Sequence, residues 1–330
     1  MVRVVIPTFN RASLLGDAVN SVLRQSFKDF ELLVVDDGST DDTEALVREL
    51  MRGDGRVRYQ KQKNGGVASA RNRGIDCPRA ARYVAFLDSD DTWSLNHLER
   101  SVAVLESYRD IALVCSRREY VDVQGTLSRE GAMDSVRRKF DRALAAATPL
   151  PLERAYVLSS SDCHRLLLHS EFAPWTSSVV VRGECVQRSQ WFDPRLEVLE
   201  DVDFCMDLAV HPFGLIDQVA GLYRYFGDNL TGSRDLGSPV TLRRQLAVLE
   251  FLKKKIGRCS NRRDRAFVRK EIAATAYLIG QCCSEQRDRP AARQAYLEAL
   301  GNRFSWHGLR GLIGACVPPL LRRAYLASRS

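Results

Sequence analysis

The chain has 330 residues, of which 45% are apolar and 27% are charged, and its formal net charge is +8. These values are ordinary for a globular protein, and the length suffices for one large domain or two smaller ones. The nine cysteines form no CxxC pair, which argues against a zinc site, so we interpret them as reduced thiols in a cytoplasmic protein. No apolar run approaches the roughly 20 residues of a membrane-spanning helix, and we expect no signal peptide.

Strands and helices are predicted to alternate in the first 90 residues. Continuous apolar runs predict buried strands, and apolar residues at helical spacing predict helices between them. The predicted strands cover residues 2–6, 30–35, 56–60 and 83–87, and the predicted helices cover residues 14–23, 41–50 and 67–74. This alternation is typical of a parallel, doubly wound sheet of the nucleotide-binding type.

The rest of the chain divides into a less regular middle part and a helical end. We predict helices at 98–105 and 199–210, and strands at 112–116, 177–182 and 222–226. Residues 124–170 are polar and basic and contain two prolines, so we interpret them as an irregular insertion near a binding site. From residue 241 onward, the spacing of the apolar residues predicts only helices. We therefore predict two domains, residues 1–235 and residues 236–330.

Charge is divided unevenly along the chain. Residues 241–330 contain 19 Lys and Arg and 6 Asp and Glu, a net charge of +13, which leaves −5 for the other residues. We interpret the basic region either as a surface for anionic lipids on the inner face of a membrane or as a solvated helical scaffold. No basic and aromatic motif for nucleic acid accompanies it, so we expect no nucleic-acid partner. A second subunit would also fit, which leaves oligomerisation open.

Acidic residues follow two of the predicted strands. Asp36 and Asp37 end the second strand, and the Asp-Ser-Asp-Asp segment at 88–91 ends the fourth. Such strand ends face the crevice in which open α/β sheets bind ligands. Glu200 and Asp201 complete the set near the start of a predicted helix. Carboxylates gathered there can hold a metal ion, a ribose hydroxyl or a proton, which suits a nucleotide-diphosphate donor and a hydroxyl acceptor.

Five motifs occur in an order that resembles one known family. They are VIPTFN at 5–10, SVLRQS at 21–26, DDGSTD at 36–41, GVASARNRG at 66–74 and FLDSDD at 86–91. The pattern resembles glycosyltransferase family 2 and covers roughly residues 1–230. A lone Asp-x-Asp would carry no weight, because it occurs by chance in most proteins. The resemblance implies the GT-A fold, a doubly wound mixed sheet, here followed by an all-helical extension.

The resemblance also implies a reaction. A sugar would pass from a nucleotide-diphosphate donor, by base rate a UDP-sugar, to a hydroxyl of a glycan, a lipid-linked saccharide or another acceptor, with inversion at the anomeric carbon. Asp90 and Asp88 would hold Mn²⁺ or Mg²⁺, because the leaving diphosphate needs its charge neutralised. Asp201 would be the general base, with Glu200 as the second candidate. The structural alternative for this pair is stabilisation of a helix start.

Other residues are implied to contact the donor. They are Pro7, Thr8, Phe9, Asp37, Arg71, Asp88 and Ser89. Asp37 would accept a hydrogen bond from the base, and residues 7–9 would line the base and ribose. Arg71 would lie near the base or the phosphates, and Arg224 and Arg234 are further candidates for the diphosphate. The alternatives are a turn former for Asp37, a strand end and core residue for 7–9, and a solvated charge for each arginine.

Two other functions fit parts of the pattern. A nucleotidyltransferase of similar fold would want a glycine-rich loop with Lys or Arg directly after the first strand, and residues 7–11 are poor for that. A non-catalytic nucleotide-sugar-binding module would keep the fold without the activity. The acids at 88, 90 and 201 argue against such a module.

Overall fold

A computed structural model describes residues 1–76, 81–122, 126, 132–188, 191–224 and 235–316. Contacts divide the chain into two compact units, Met1–Phe226 and Gly227–Ser330. The domain boundary that we proposed after residue 235 lies close to this division.

The first unit is built on one mixed sheet, which has ten strands in the described residues. In chain order they are β1 (Val2–Thr8), β2 (Phe30–Asp36), β3 (Val57–Lys61), β4 (Tyr83–Phe86), β5 (Thr92–Trp93), β6 (Leu113–Val121), β7 (Thr148–Pro149), β8 (Ala155–Leu158), β9 (Val180–Arg182) and β10 (Phe213–Arg224). Across the sheet the order is β3-β2-β1-β4-β9-β6-β10-β8-β7, and β5 pairs with β10.

Helices cover this sheet. They are α1 (Ala12–Leu23), α2 (Thr43–Gly53), α3 (Gly66–Ile75), α4 (His97–Ser107), α5 (Ala132–Ala146), α6 (Ser160–Leu168), α7 (Gly183–Arg188) and α8 (Glu200–Leu208), with a 3₁₀ turn at Thr176–Ser178. The apolar stripe of α1, with Leu15, Val19 and Val22, is fully buried in the core. Gly74 of α3 lies so close to β1 that a Cβ there would be 2.3 Å from Val5, so only glycine fits.

The predicted fold class is confirmed. β1 pairs in parallel with β2 and β4, and β2 pairs in parallel with β3, as the first four predicted strands require. β9 runs antiparallel between β4 and β6, and β10 is parallel to β6. The carboxyl ends of β1, β2, β4, β6 and β10 therefore meet at one edge of the sheet, where an open α/β sheet binds its ligands.

The prediction that residues 124–170 are irregular is wrong for the described part. This stretch contains α5, β7, β8 and α6. The polar residues of α5 lie on its outer side while Ala143 is buried, and Ser159 caps α6 by accepting a hydrogen bond from the Asp162 backbone N–H. Pro149 lies in the edge strand β7, where its missing N–H removes no required ladder bond.

The last strand of the sheet is longer than predicted. β10 begins at Phe213, whereas the sequence predicted a strand only at 222–226, of which 225 and 226 lie outside the described residues. Polar Asp217 and Gln218 interrupt its apolar pattern, and they fall where the pairing with β6 shifts register between Ile216 and Val219. A bulge of this kind disrupts the alternation on which strand prediction depends.

The second unit is helical in its described part, as predicted. Its helices are α9 (Pro239–Ile256), α10 (Arg262–Glu285), α11 (Arg289–Asn302) and α12 (Trp306–Cys316). Gly280 lets the ring of Tyr296 approach, since a Cβ at Gly280 would be 2.6 Å from it. Lys255 is fully buried, and its ammonium group donates a hydrogen bond to Glu271 at 3.1 Å. None of the described helices combines the length and the apolar character needed to cross a bilayer.

The described cysteines agree with the interpretation of packed thiols. Six of the eight described cysteines are buried. The buried ones are Cys115, Cys163, Cys205, Cys259, Cys282 and Cys283. Burial raises the pKa of Cys163 to about 12, so this thiol stays protonated and inert.

Candidate active site

The turn after β2 is held by a buried carboxylate. Asp36 accepts hydrogen bonds from the backbone N–H of Ser39 at 2.7 Å and from the Tyr59 hydroxyl at 2.5 Å. Gly38 has a φ of +89°, which L side chains rarely adopt. Asp36 therefore shapes the turn, and it leaves Asp37 as the acid that faces the next loop.

Asp37 also accepts several hydrogen bonds. Its carboxylate accepts hydrogen bonds from the Gln62 side chain at 2.7 Å and from the backbone N–H groups of Gly65 and Gly66 at 2.9 and 2.8 Å. These bonds fix the start of α3 against the β2 turn. A carboxylate has about four acceptor positions, so the three donors leave capacity for a base N–H. The contact between Asp37 and the base stays a prediction.

The carboxyl end of β1 forms the neighbouring rim. Pro7 and Thr8 are buried, whereas the ring of Phe9 is 46% exposed. The backbone N–H of Asn10 donates to the Ser39 hydroxyl at 2.9 Å, which ties the β1 loop to the β2 turn. An exposed aromatic ring on a fixed rim is suited to contact with a flat base. The contact of residues 7–9 with the base and ribose stays a prediction.

The polar residues after β4 divide into a buried group and a partly accessible group. Asp91 and Ser89 are buried, whereas Asp88 and Asp90 remain partly accessible. Asp91 accepts a hydrogen bond from the Ser177 hydroxyl at 2.6 Å, and that oxygen accepts one from the Asp88 backbone N–H at 3.1 Å. Asp91 thus anchors the loop, so that Asp88 and Asp90 are the acids available to a ligand.

Negative charge is concentrated at this loop. Burial raises the pKa of Asp90, and the nearby charge of Asp88 raises it further, while Arg11 and Arg224 act in the opposite direction. A divalent cation would relieve this repulsion, and carboxylate oxygens are the ligands that Mg²⁺ and Mn²⁺ prefer. Within the described ranges no three acidic, His or Cys side chains form a metal site by themselves. Asp88 and Asp90 would hold such a cation only together with oxygen ligands from a bound substrate or from water.

Arg71 joins the acids of distant segments. It is only 3% exposed, and its guanidinium group donates to Asp88 at 2.8 Å and to Glu200 at 2.7 Å. Burial opposes its charge, yet Asp88 and Glu200 outweigh burial and raise the pKa of Arg71, with Asp201 contributing in the same direction. The guanidinium carbon also lies 5.2 Å from the ring centre of Phe192. The predicted contact of Arg71 with the donor stays a prediction, but the solvated alternative is wrong.

Glu200 and Asp201 differ in their surroundings although they are adjacent. Glu200 is buried against Arg71; burial raises the pKa of Glu200, and the charge of Asp201 raises it further, whereas Arg71 lowers it. Asp201 is partly accessible and accepts a hydrogen bond from the Thr176 hydroxyl at 3.0 Å. Leu199, with a φ of +63°, makes the sharp turn that starts α8 at this pair. Asp201 is therefore the acid better placed to accept a proton from a substrate.

Several residues of this site were not predicted. Thr176 and Ser177 lie in a short 3₁₀ turn between unrelated motifs, and nothing in their local sequence marks them. Arg11, which acts to lower the pKa of Asp90, was not predicted either. Arg224, which was predicted as a candidate for the diphosphate, acts on that pKa in the same direction and donates its backbone N–H to Asp91 at 3.4 Å. Arg11 could have been predicted as a site residue, because it comes shortly after the carboxyl end of β1. Arg234 lies outside the described residues.

Relatives of known name match about a third of the chain. The putative teichuronic acid biosynthesis glycosyltransferase TuaG of Bacillus subtilis is 39% identical over 103 residues, which is 31% of this chain and 40% of that protein. The GalNAc(5)-diNAcBac-PP-undecaprenol beta-1,3-glucosyltransferase of Campylobacter jejuni is 42% identical over 90 residues, which is 27% of this chain and 29% of that protein. The match thus spans less than half the length of each relative.

Solved structures resemble a larger part of the chain. TarS 1–349 of S. aureus in complex with UDP-GlcNAc has a TM-score of 0.62 at 17% identity, over 91% of this chain and 81% of that chain. The mannosyltransferase PcManGT of Pyrobaculum calidifontis, in complex with GDP-Man and Mn²⁺, has a TM-score of 0.56 at 15% identity, over 97% and 86% of the two chains. At these identities the likeness shows a shared fold.

The family match covers the first part of the sheet, through β7, and the acids after β2 and β4. The sequence profile of glycosyl transferase family 2 matches residues 3–152, which include the turn at Asp37 and the carboxylates Asp88 and Asp90. The order of motifs, the GT-A type of sheet and this match agree with one another. Over residues 3–152 the chain therefore matches glycosyl transferase family 2.

Proposed function

We propose that the protein is an inverting glycosyltransferase that moves a sugar from a nucleotide-diphosphate donor to an acceptor hydroxyl. The main support is the Arg71 bridge, because it brings Asp88 of the metal-binding pair and Glu200, the neighbour of Asp201, to one guanidinium group. Metal-binding acids and a base within one site are what displacement of a diphosphate by a hydroxyl requires.

Each residue has a defined task in this proposal. Asp88 and Asp90 would hold a divalent cation, which would supply positive charge to neutralise the diphosphate. Arg11 and Arg224, whose charges act to lower the pKa of Asp90, add positive charge near that carboxylate. Asp201 accepts the proton of the acceptor hydroxyl, and the hydrogen bond from Thr176 keeps its carboxylate in place.

The comparisons support a choice of substrates. TarS binds UDP-GlcNAc, and the Campylobacter enzyme is named for a glycan on a diphosphate-linked lipid. We therefore propose a UDP-sugar as donor and a saccharide or lipid-linked saccharide as acceptor. The PcManGT complex contains Mn²⁺, which supports Mn²⁺ or Mg²⁺ as the cation.

The metal proposal is tested by replacing Asp90 with asparagine. The wild-type protein should be stabilised by UDP with Mn²⁺, since a ligand that binds only the folded state raises the melting temperature. With UDP present, addition of Mn²⁺ should raise the melting temperature of the wild-type protein further. Asp90→Asn should lose most of this further rise, whereas Asp110→Asn, at an exposed aspartate, should keep it. Thermal shift with and without Mn²⁺ measures both. An undiminished effect of Mn²⁺ on Asp90→Asn would exclude Asp90 as a ligand.

Release of nucleoside diphosphate from a panel of nucleotide sugars tests the activity itself. Release that depends on added acceptor supports the transferase. Stabilisation by UDP without release from any donor would favour the non-catalytic binding module.

We further propose that the helical unit binds anionic membrane surfaces. Trp306 and Phe304 are 69% and 61% exposed, and Ile313 is exposed on the same helix, α12, as Trp306. A groove in this unit is lined by basic side chains, namely Arg262, Arg265, Arg269, Lys270 and Arg303. Exposed aromatic residues beside basic ones are typical of segments that lie in a bilayer interface.

The membrane proposal predicts salt-dependent sedimentation with vesicles. The protein should pellet with phosphatidylglycerol vesicles at low salt, because each basic residue near the surface adds about 1 kcal/mol. It should remain in the supernatant at high salt and with neutral phosphatidylcholine vesicles. Trp306→Ser should weaken binding, whereas Leu246→Ser, which removes an exposed apolar side chain from α9, should not. No pelleting at low salt would refute the proposal.

A further inference from the structure

One arginine and three aromatic side chains form a cluster at the edge of the sheet that carries the candidate active site. Arg118 and Tyr120 lie on β6, Tyr223 lies on β10, and Trp175 directly precedes the 3₁₀ turn. Tyr120 and Tyr223 are partners in register, with ring centres 5.3 Å apart. The guanidinium carbon of Arg118 lies 5.0 Å from the ring centre of Tyr120, 5.1 Å from that of Tyr223 and 5.7 Å from that of Trp175.

This aromatic–arginine cluster contains buried polar atoms without partners. The Arg118 Nε and the Trp175 Nε1 are buried and make no hydrogen bond within the described part of the protein. The Tyr120 hydroxyl is buried as well, and its contact with Arg118, which acts to lower the Tyr120 pKa, does not have the geometry of a hydrogen bond. Trp175 as a whole is only 7% exposed. Buried groups of this kind are rare in native proteins because each one loses its hydrogen bond to water. Two such donors, beside a hydroxyl whose contact is poorly aligned, indicate that a ligand completes the cluster.

The donors in the cluster define the chemistry of that ligand. An indole N–H and a guanidinium N–H can only donate, so the ligand must present oxygen acceptors. Arg118 forms no ion pair with the acids of the described segments, whereas the adjacent Arg117 pairs with Asp141 and Asp217. An unbalanced guanidinium charge in a half-buried place favours an anionic oxygen over a neutral hydroxyl.

The position of the cluster assigns it to the acceptor. Trp175 is followed by Thr176, which donates to Asp201, and by Ser177, which donates to Asp91. The cluster lies on β6 and β10, beyond β9 as seen from β4, whereas the rim proposed for the nucleotide lies on β1 and β2. We propose that Arg118, Tyr120 and Trp175 bind an oxyanion, a carboxylate or a phosphate, carried by the acceptor saccharide. The acceptor assignment rests on the proposed function, but the oxyanion site does not.

Small saccharides provide the test without knowledge of the natural acceptor. We would titrate the full chain with methyl glucuronide, with methyl glucoside 6-phosphate and with neutral methyl glucoside, using calorimetry or ligand-observed NMR. At least one anionic sugar should bind about tenfold more tightly than the neutral one, and the comparison of the two anions identifies whether the group is a carboxylate or a phosphate. Arg118→Gln and Trp175→Phe should each weaken that binding about tenfold.

Controls separate this site from the donor site. Arg48→Gln, at an exposed arginine, should leave anion binding unchanged, and stabilisation by UDP with Mn²⁺ should be the same in all four proteins. Equal binding of charged and neutral sugars, or full binding by Arg118→Gln, would overturn the proposal. Loss of UDP binding in Arg118→Gln would overturn it too, because the cluster would then belong to the donor. Selective anion binding without turnover of any donor would count against the proposed function alone.

Discussion

Replacing Asp201 with asparagine is expected to reduce the rate of sugar transfer by about 10²–10⁴, the usual contribution of a general base. The amide keeps the shape of the side chain and can still accept the hydrogen bond from Thr176, but it cannot accept the proton of the acceptor hydroxyl. Donor binding should persist, because Asp201 is not among the residues proposed to contact the nucleotide. Release of nucleoside diphosphate in the presence of acceptor measures the rate, and thermal shift with UDP measures donor binding.

Two comparisons make this test specific. Glu197→Gln removes an exposed acid a few residues earlier in the chain and should leave the rate unchanged. Thr176→Val removes the donor that positions the carboxylate, so it should slow transfer less than Asp201→Asn does. If Asp201→Asn transfers sugar at the wild-type rate, Asp201 is not the base.

The sheet that carries this site was largely predictable because its signals are local. β1, β2 and β4 are mostly apolar runs, interrupted by Arg3 in β1 and Glu31 in β2, and an acidic or polar motif follows each of them directly. Parallel strands place such motifs at one edge. A segment of about ten residues is therefore enough to predict both a strand and the end of it at which ligand-binding residues lie. The predicted parallel order of the first four strands is confirmed.

The bridge at Arg71 could not be predicted in the same way. Its partners Asp88 and Glu200 lie 17 and 129 residues away in sequence. No periodicity relates them, and a lone arginine in a helix is usually solvated. The turn at Leu199 decides which acid of the adjacent pair is buried against that arginine. Leu199 has a positive φ, which no local rule predicts for a leucine.

The aromatic–arginine cluster was missed for a related reason. Tyr120 and Tyr223 meet because β6 pairs with β10, a strand that comes about one hundred residues later and whose pattern is broken by a bulge. Trp175 joins them from a short turn. The predicted strand at 112–116 ends before Arg118 and Tyr120, so the sequence offered no basis for placing these side chains together.

Replacing Arg71 with methionine is expected to destabilise the folded protein by about 3–5 kcal/mol, the usual cost of removing one partner from a buried ion pair. The apolar side chain fills much of the space, so that loss of the charge is the main change. Glu200 would then be buried without its cation. Urea denaturation at pH 7 measures the free energy of unfolding, and Arg73→Met, at an exposed position of α3, is the matched control.

The dependence on pH separates lost charge from lost packing. Burial already raises the pKa of Glu200, and removal of Arg71 takes away the group that lowers it. A carboxyl with a raised pKa in the folded state binds its proton more readily there than in the unfolded chain, so a fall in pH from 8 toward 5 favours folding. The difference in stability between wild type and Arg71→Met should therefore shrink as the pH falls. A difference that is the same at pH 5 and pH 8 would mean that the defect is one of packing.

A double variant completes the argument, because it removes the buried charge itself. Combining Arg71→Met with Glu200→Gln should restore part of the stability lost in Arg71→Met alone, and this non-additivity measures the coupling of the pair. Asp88 is less buried than Glu200, so it should be hydrated by solvent once Arg71 is removed. It should therefore contribute little to the loss of stability. The double variant should still lose activity, since Asp88 and the residues beside Asp201 are then no longer held by one guanidinium group. Equal stability of the single and double variants would show that Glu200 is not the charge that Arg71 neutralises.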